Sequence, residues 1–140
     1  MEAYYRRLTS SDPEVRRSAS KAWGGWESCK FSLVPNPSML EETREVYDQV
    51  AALMECQYTR NRCWLNSDTQ LLDDVHKIAH IPAVLVFGRY DLITPVVNGW
   101  ELSKRWPAAE LVIIPDEGHA FNEPGIAEAL VAATDFFAAN

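Results

Sequence analysis

The chain has 140 residues, 47% of them hydrophobic and 24% charged, and carries a formal net charge of −7. That length allows one ordinary domain with a sizeable core, and that balance is the composition of a soluble globular protein. The negative charge argues against nucleic acid or an anionic membrane as a partner, and no apolar run approaches the ~20 residues that a spanning helix needs.

Three cysteines, Cys29, Cys56 and Cys63, form no Cys-x-x-Cys and match no zinc spacing to the histidines. They read as buried free thiols of a reducing cytosol. The start of the chain, Met-Glu-Ala-Tyr-Tyr-Arg-Arg, has no apolar signal core. A cytoplasmic location is therefore the expectation.

In chain order, residues 1–8 predict a short helix with Tyr4, Tyr5 and Leu8 on its apolar side. Ser11 and Glu14 fit a capping box for a second helix, with Pro13 in its first turn. Val15, Ala19, Trp23 and Trp26 recur there at helical spacing, which predicts core positions for both tryptophans. The pair Gly24-Gly25 predicts close packing or a bend. After a proline-containing loop at 31–37, Ser38 and Glu41 open a long helix. Its inward stripe is expected to be Leu40, Thr43, Tyr47, Val50, Met54 and Gln57, with charges at Glu41, Glu42, Arg44, Glu45 and Asp48 outside. Residues 59–67 are polar and irregular. Residues 68–79 predict another helix, with Leu71, Leu72, Val75 and Ile78 inward.

From Pro82 the pattern changes. Ala83 to Phe87 and Leu111 to Ile114 are Val-, Ile- and Leu-rich and do not alternate with polar residues, as strands covered on both faces read. Between them, residues 96–106 are long enough for one helix, which Trp106-Pro107 stops. A strand, a helix and a strand in this order make a βαβ unit with parallel strands. Residues 1–66 thus read as all helical, and 67–140 as α, β, α, β, α. Asn122 or Glu123 can cap a last helix with Pro124 in its first turn. Ile126, Leu130, Ala133, Thr134 and Phe137 form its buried face.

Each strand runs into a polar loop, Gly88-Arg89-Tyr90-Asp91 after the first and Asp116-Glu117-Gly118-His119 after the second. An acid and an imidazole then leave the carboxyl ends of neighbouring strands, where open α/β sheets place their sites. Alone, Asp91 reads as a turn cap and His119 as a loop histidine. His76 and His80 have neither a glycine loop nor an acid partner, and read as surface or cap residues.

Gly-Arg-Tyr-Asp, followed 28 positions on by Gly118-His119, resembles the end of an α/β-hydrolase, whose triad follows the order Ser, Asp, His. With Trp106-Pro107-Ala108 and Gly-His-Ala-Phe-Asn-Glu-Pro-Gly, the chain resembles more narrowly the proline iminopeptidases, along nearly its whole length. The resemblance implies an α/β fold: residues 1–66 as part of a helical cap, and 67–140 as the last two strands of the hydrolase core with their helices. It implies Asp91 and His119 as the triad acid and base. Trp23-Gly24-Gly25-Trp26-Glu27 is similar to the family's Trp-x-x-Trp-Glu, and Glu55-Cys56-Gln57-Tyr58 to its second glutamate segment. The resemblance therefore implies Glu27 and Glu55 as the groups that bind the free amine of a peptide beginning with proline. A carboxylate in a partly dry pocket would select an ammonium by a charge-assisted hydrogen bond. No metal or organic cofactor is implied.

The chain holds no Gly-x-Ser-x-Gly. The expectation is that the nucleophile lies upstream of Met1, that this is the C-terminal portion of a serine aminopeptidase, and that it is inactive alone. Its partner would then be the N-terminal portion of the same enzyme. Two other readings stay open: a fragment of another capped hydrolase, such as an esterase or epoxide hydrolase, and a non-catalytic module. Glu27 with Glu55 separates the aminopeptidase from the other hydrolases, because a neutral substrate needs no amine reader. The non-catalytic module would have to fold and bind something alone, against which a two-strand sheet with exposed edges is poorly protected.

Overall fold

The computed structural model describes residues 1–34, 37 and 49–139. They form two compact units: Met1–Cys29 with the described part of Pro35–Asn66, and Lys30–Val34 with the chain from Ser67 onward. The predicted capping box at Ser38 and Glu41, the inward Leu40, Thr43 and Tyr47, and the charges at 41–48 lie outside the described residues.

The first unit is helical, with α1 (Glu2–Leu8), α2 (Pro13–Ser28) and α3 (Gln49–Arg60) packed together. The start of α2 is set by Asp12 rather than Ser11: its Oδ1 accepts from the Glu14 N–H at 2.8 Å, and Pro13 occupies the first turn. A carboxylate there also meets the positive end of the helix dipole. The helix runs through Gly24-Gly25 without a break, and the Ser28 hydroxyl donates to the Gly24 carbonyl at 2.8 Å.

The core of this unit is Leu8, Ala19, Trp23, Ala52 and Cys56, with Tyr5 and Leu53 against it. Ala52 and Cys56 sit one turn apart on α3, as Ala19 and Trp23 do on α2. Small side chains let two helices approach, and the indole of Trp23 fills the remaining volume. The stripe expected to face inward on α3 does not: Val50 and Met54 are 68% and 57% exposed. Close packing has selected the smallest residues of the helix, not the bulkiest apolar ones. Trp26, expected in the core, is 60% exposed. Its ring meets that of Trp23 edge-on, at 6.3 Å between centroids. Cys56 is buried, but Cys29 and Cys63 are exposed free thiols, because one caps the end of α2 and the other lies in a surface turn. Thr59 and Arg60, expected to be irregular, belong to α3. The turn that follows, Arg62–Trp64, has φ of 52°, 54° and 54° at its three residues.

The second unit is mixed α/β. Strands β1 (Ala83–Gly88) and β2 (Ala109–Ile114) pair in parallel, from Ala83 opposite Ala109 to Gly88 opposite Ile114. Before them, the helix predicted over 68–79 is broken into α4 (Gln70–Asp73) and a 3-10 turn, Asp74–Lys77. Its inward face is reduced to Val75, with Leu71 and Ile78 exposed. Helix α5 (Val96–Ser103) makes the crossover, shorter than predicted because the chain turns before Trp106. The Trp106 indole donates to the Ile81 carbonyl at 2.8 Å, tying the end of the crossover to the entry of β1.

Helix α6 (Pro124–Ala139) lies along both strands. The Phe87 ring packs so closely on α5 that a Cβ at Gly99 would meet it at 2.5 Å. A cavity of about 540 Å³ separates Val84 and Val112 from Ala129 and Phe136 of α6. Since alternate residues of a strand face opposite sides, α5 and α6 cover opposite faces. Both strands are nonetheless only half-buried, where the sequence predicts full burial. The reason is the sheet's width: among the described residues each strand has one ladder partner, so each keeps an open edge. On α6, Ile126 is buried and Leu130 and Phe137 are partly exposed, which follows from the same narrow sheet.

Candidate active site

The parallel register carries β1 and β2 to a common end, and both following loops start there. Gly88 makes the junction possible. A Cβ on it would stand 1.9 Å from the Gly118 carbonyl oxygen and 2.6 Å from that of Glu117. The Arg89 N–H donates to the Ile114 carbonyl at 2.8 Å, and the Tyr90 N–H to the Glu117 carbonyl at 3.0 Å. Two loops laced this closely bring the predicted acid and imidazole together: His119 Nδ1 lies 2.9 Å from Asp91 Oδ2.

Asp91 is nearly enclosed, its side chain 5% exposed against 29% for His119. Its Oδ1 accepts from the Ile93 and Thr94 N–H groups, each at 2.8 Å. Its Oδ2 accepts from the Thr94 hydroxyl at 2.7 Å as well as from the ring. Burial pushes the carboxyl upward. The Thr94 hydroxyl, His119 and the two backbone N–H groups outweigh that push and hold it below the usual carboxylate range. An ionised carboxylate can only accept, so Nδ1 carries the ring hydrogen in neutral His119, and Nε2 presents its lone pair. An imidazole held this way can take a proton at Nε2 while the carboxylate stabilises the cation formed.

The histidine loop is clasped from two sides. Glu117, buried, reaches forward to accept from the Gly125 and Ile126 N–H groups at 2.6 and 2.7 Å, capping the first turn of α6. Glu123 reaches back to accept from the Gly118 N–H at 2.9 Å. The Phe31 carbonyl accepts from the backbone of His119 and Ala120 at 2.7 and 2.8 Å, and its ring meets the imidazole edge-on at 5.4 Å. Thr94, Phe31 and Glu117 are site residues that the sequence reading missed. Asp-x-x-Thr is itself a turn signal that could have revealed Thr94; nothing local marks Phe31.

A cavity of about 320 Å³ opens beside the pair, lined by Phe31, Thr94, Phe121, Ile126 and Leu130. The larger cavity between the sheet and α6 is lined almost wholly by apolar groups, with Glu110 as its one charged residue. It is lined by no acid–imidazole pair, whereas Asp91 and His119 both line the smaller one.

Glu27 and Glu55 belong to the helical unit. Glu55 on α3 is half-buried, and its Oε2 accepts from the Trp23 indole N–H at 2.7 Å. Glu27, also half-buried, follows Trp23 by one turn on the same side of α2. The two carboxylates thus sit on two helices that pack together, Glu55 bonded to the Trp23 indole and Glu27 one turn beyond that tryptophan. His76 is exposed with its Nδ1 2.8 Å from the Asp73 carbonyl, and His80 is exposed, neither near an acid partner of the kind Asp91 provides. Among the described residues no three His, Cys, Asp or Glu side chains gather as a metal ion requires, and no helix is long and apolar enough to cross a membrane.

No protein-family model matches the chain. Curated proteins do. It is 44% identical over 140 residues to a probable proline iminopeptidase of Leptolyngbya boryana, covering 99% of this chain and 44% of that one. To a proline iminopeptidase of Arabidopsis thaliana it is 41% identical over 136 residues, 96% of this chain and 36% of the relative. The proline iminopeptidase of Neisseria gonorrhoeae is 43% identical over 136 residues, 96% of this chain and 42% of its own. Along essentially all of its length the chain is a sequence relative of the proline iminopeptidases, and it spans 36–44% of theirs.

Proposed function

We propose that the chain is the C-terminal portion of a proline iminopeptidase of the α/β-hydrolase fold, with residues 1–66 from its helical cap and 67–140 from its core. The complete enzyme releases an N-terminal proline from peptides. A serine outside the given residues attacks the scissile carbonyl, His119 takes its proton and returns it to the leaving amine, and Asp91 orients the ring. Glu27 and Glu55 bind the ammonium of the substrate. The reading places the enzyme in the cytoplasm, where free thiols persist.

The observation that carries the proposal is the 2.9 Å contact between His119 Nδ1 and Asp91 Oδ2 at the carboxyl ends of two parallel strands. The amine reading is supported by Glu55, which the Trp23 indole holds in place half out of water.

The test is complementation. The chain alone should not turn over a chromogenic proline amide, because an acid and a base without a nucleophile form no acyl-enzyme. Joined to the N-terminal part of a relative that carries Gly-x-Ser-x-Gly, it should do so. Turnover by the chain alone that is lost in His119→Ala would overturn the division of labour, and a joined enzyme that cleaves only simple esters would overturn the substrate.

A further inference from the structure

Asp91 Oδ2 receives two donors at once. The Thr94 hydroxyl lies 2.7 Å away and His119 Nδ1 2.9 Å away. The two donors are also near each other, with Thr94 Oγ1 3.3 Å from Nδ1. Both lone pairs of Oδ1 are taken by backbone N–H groups. Every acceptor site of the carboxylate is therefore filled, three of the four by residues of its own turn and one by the ring.

The hydroxyl has a single hydrogen, and the shorter contact commits it to Oδ2. Toward Nδ1 the oxygen can then only accept. The ring nitrogen faces two acceptors, which leaves one tautomer of the neutral ring. Meanwhile the hydroxyl hydrogen draws charge from the same oxygen that binds the ring, so the carboxylate holds an imidazolium less tightly than it would alone. The backbone bonds fix where Oδ1 sits, and the hydroxyl fixes the rotation of the carboxyl plane about that point.

We propose that Thr94 is a positioning residue of the Asp91–His119 pair, whose hydroxyl shares Oδ2 with the ring, sets the plane of the carboxylate and moderates its hold on His119. The catalytic meaning of this role rests on the function proposed above. The sharing itself does not, and it can be read without any hydrolysis.

The experiment follows the Asp91 carboxyl carbon and the His119 ring nitrogens by NMR across pH. It uses the 140-residue chain and its Thr94→Ser, Thr94→Cys and Thr94→Val variants. His119 is the titratable group bonded to Asp91, and its ring nitrogens are followed in the same samples. Serine keeps the hydroxyl, cysteine offers a weaker donor of similar size, and valine keeps the branched shape with no donor. The Asp91 titration should stay in place for serine, move to higher pH for cysteine and move furthest for valine, with the Nδ1–H tautomer strongest in the wild type. A role in packing would order the series by shape, leaving valine at the wild-type position and displacing serine. That order would overturn the proposal. So would an Asp91 titration indifferent to all three changes, or a wild-type chain in which Asp91 and His119 titrate independently. If the valine variant does not fold, the comparison of serine with cysteine still decides. Loss of hydrolysis in a completed enzyme with this NMR order intact would count against the function, not against the sharing.

Discussion

Glu117 and Glu123 cap each other's segments: Glu117 accepts from the first turn of α6 at 2.6 and 2.7 Å, and Glu123, just before α6, accepts from the Gly118 N–H at 2.9 Å. His119 lies between them in sequence. Its loop is therefore fixed to a helix on one side and, through Tyr90 N–H to the Glu117 carbonyl, to the Asp91 loop on the other. The loops that carry the pair are thus held by bonds that do not involve either of its own side chains.

In the completed enzyme, Asp91→Asn and His119→Ala should each lower kcat by orders of magnitude, with folding intact. An amide in place of the carboxylate favours the wrong ring tautomer, an effect of ~10⁴ in the serine-protease template. Steady-state assays against a proline amide measure this. Near-normal turnover in either variant would remove that residue from the proposed triad.

The depressed Asp91 carboxyl makes a stability prediction for the chain alone. Its folded value lies below the unfolded one. The ionised group therefore stabilises the fold above the ordinary carboxylate range, near ~4, and that contribution is lost as pH falls through the folded value. Urea midpoints of the wild type and Asp91→Asn should differ at neutral pH and converge as pH is lowered below ~4. A gap that stays constant or widens on acidification would contradict the assignment.

Gly88→Ala should unfold or strongly destabilise the second unit. The added carbon would overlap carbonyl oxygens of Gly118 and Glu117 at 1.9 and 2.6 Å, and backbone atoms cannot rotate aside. Ordinary overpacking costs about 1–3 kcal/mol, and this contact lies beyond the ordinary case. Thermal unfolding measures it; a variant as stable as the wild type would mean that the loops separate more readily than their lacing implies.

If Glu27 and Glu55 bind a substrate ammonium, replacing either with glutamine in the completed enzyme keeps shape and removes charge. A hydrogen bond to a charged group contributes roughly 1.5–3 kcal/mol, so each change should lower kcat/KM about tenfold or more. The loss should vanish on an N-acylated proline substrate, which has no ammonium. Equal relative losses on both substrates would make the glutamates structural, and an esterase-like reading would gain ground.

The βαβ unit was legible because its signals are local. Gly88, Trp106-Pro107 and Pro124 punctuate the chain, and the two apolar runs are continuous. The same locality exposed Asp91 and His119, each directly after a strand. What stayed hidden depends on contacts between distant segments. Phe31 reaches His119 from the segment that follows α2, and no period or motif in its neighbourhood announces it. The buried face of α3 was misread along Val50 and Met54: Cys56 was expected to be buried as a thiol, but Ala52 carries little hydrophobic signal, and these two are the residues small enough for a neighbouring helix. Trp26 was misread for the opposite reason: a large apolar side chain at helical spacing is a strong signal even where most of its surface stays exposed.

The pairing of Ala83 with Ala109 through Gly88 with Ile114 makes the crossover a tether and not a ruler. The distance between Asp91 and His119 is measured out by hydrogen bonds of the ladder, which do not register how long the path through α5 is. Residues added in the turn between Ser103 and Ala109 would lengthen that path and leave the two side chains where they are. A one-residue slip of either strand would shift its end by ~3.3 Å and turn its side chains to the opposite face. Tolerance to insertion is thus divided sharply along this short stretch, generous in the turn and absent a few residues to either side.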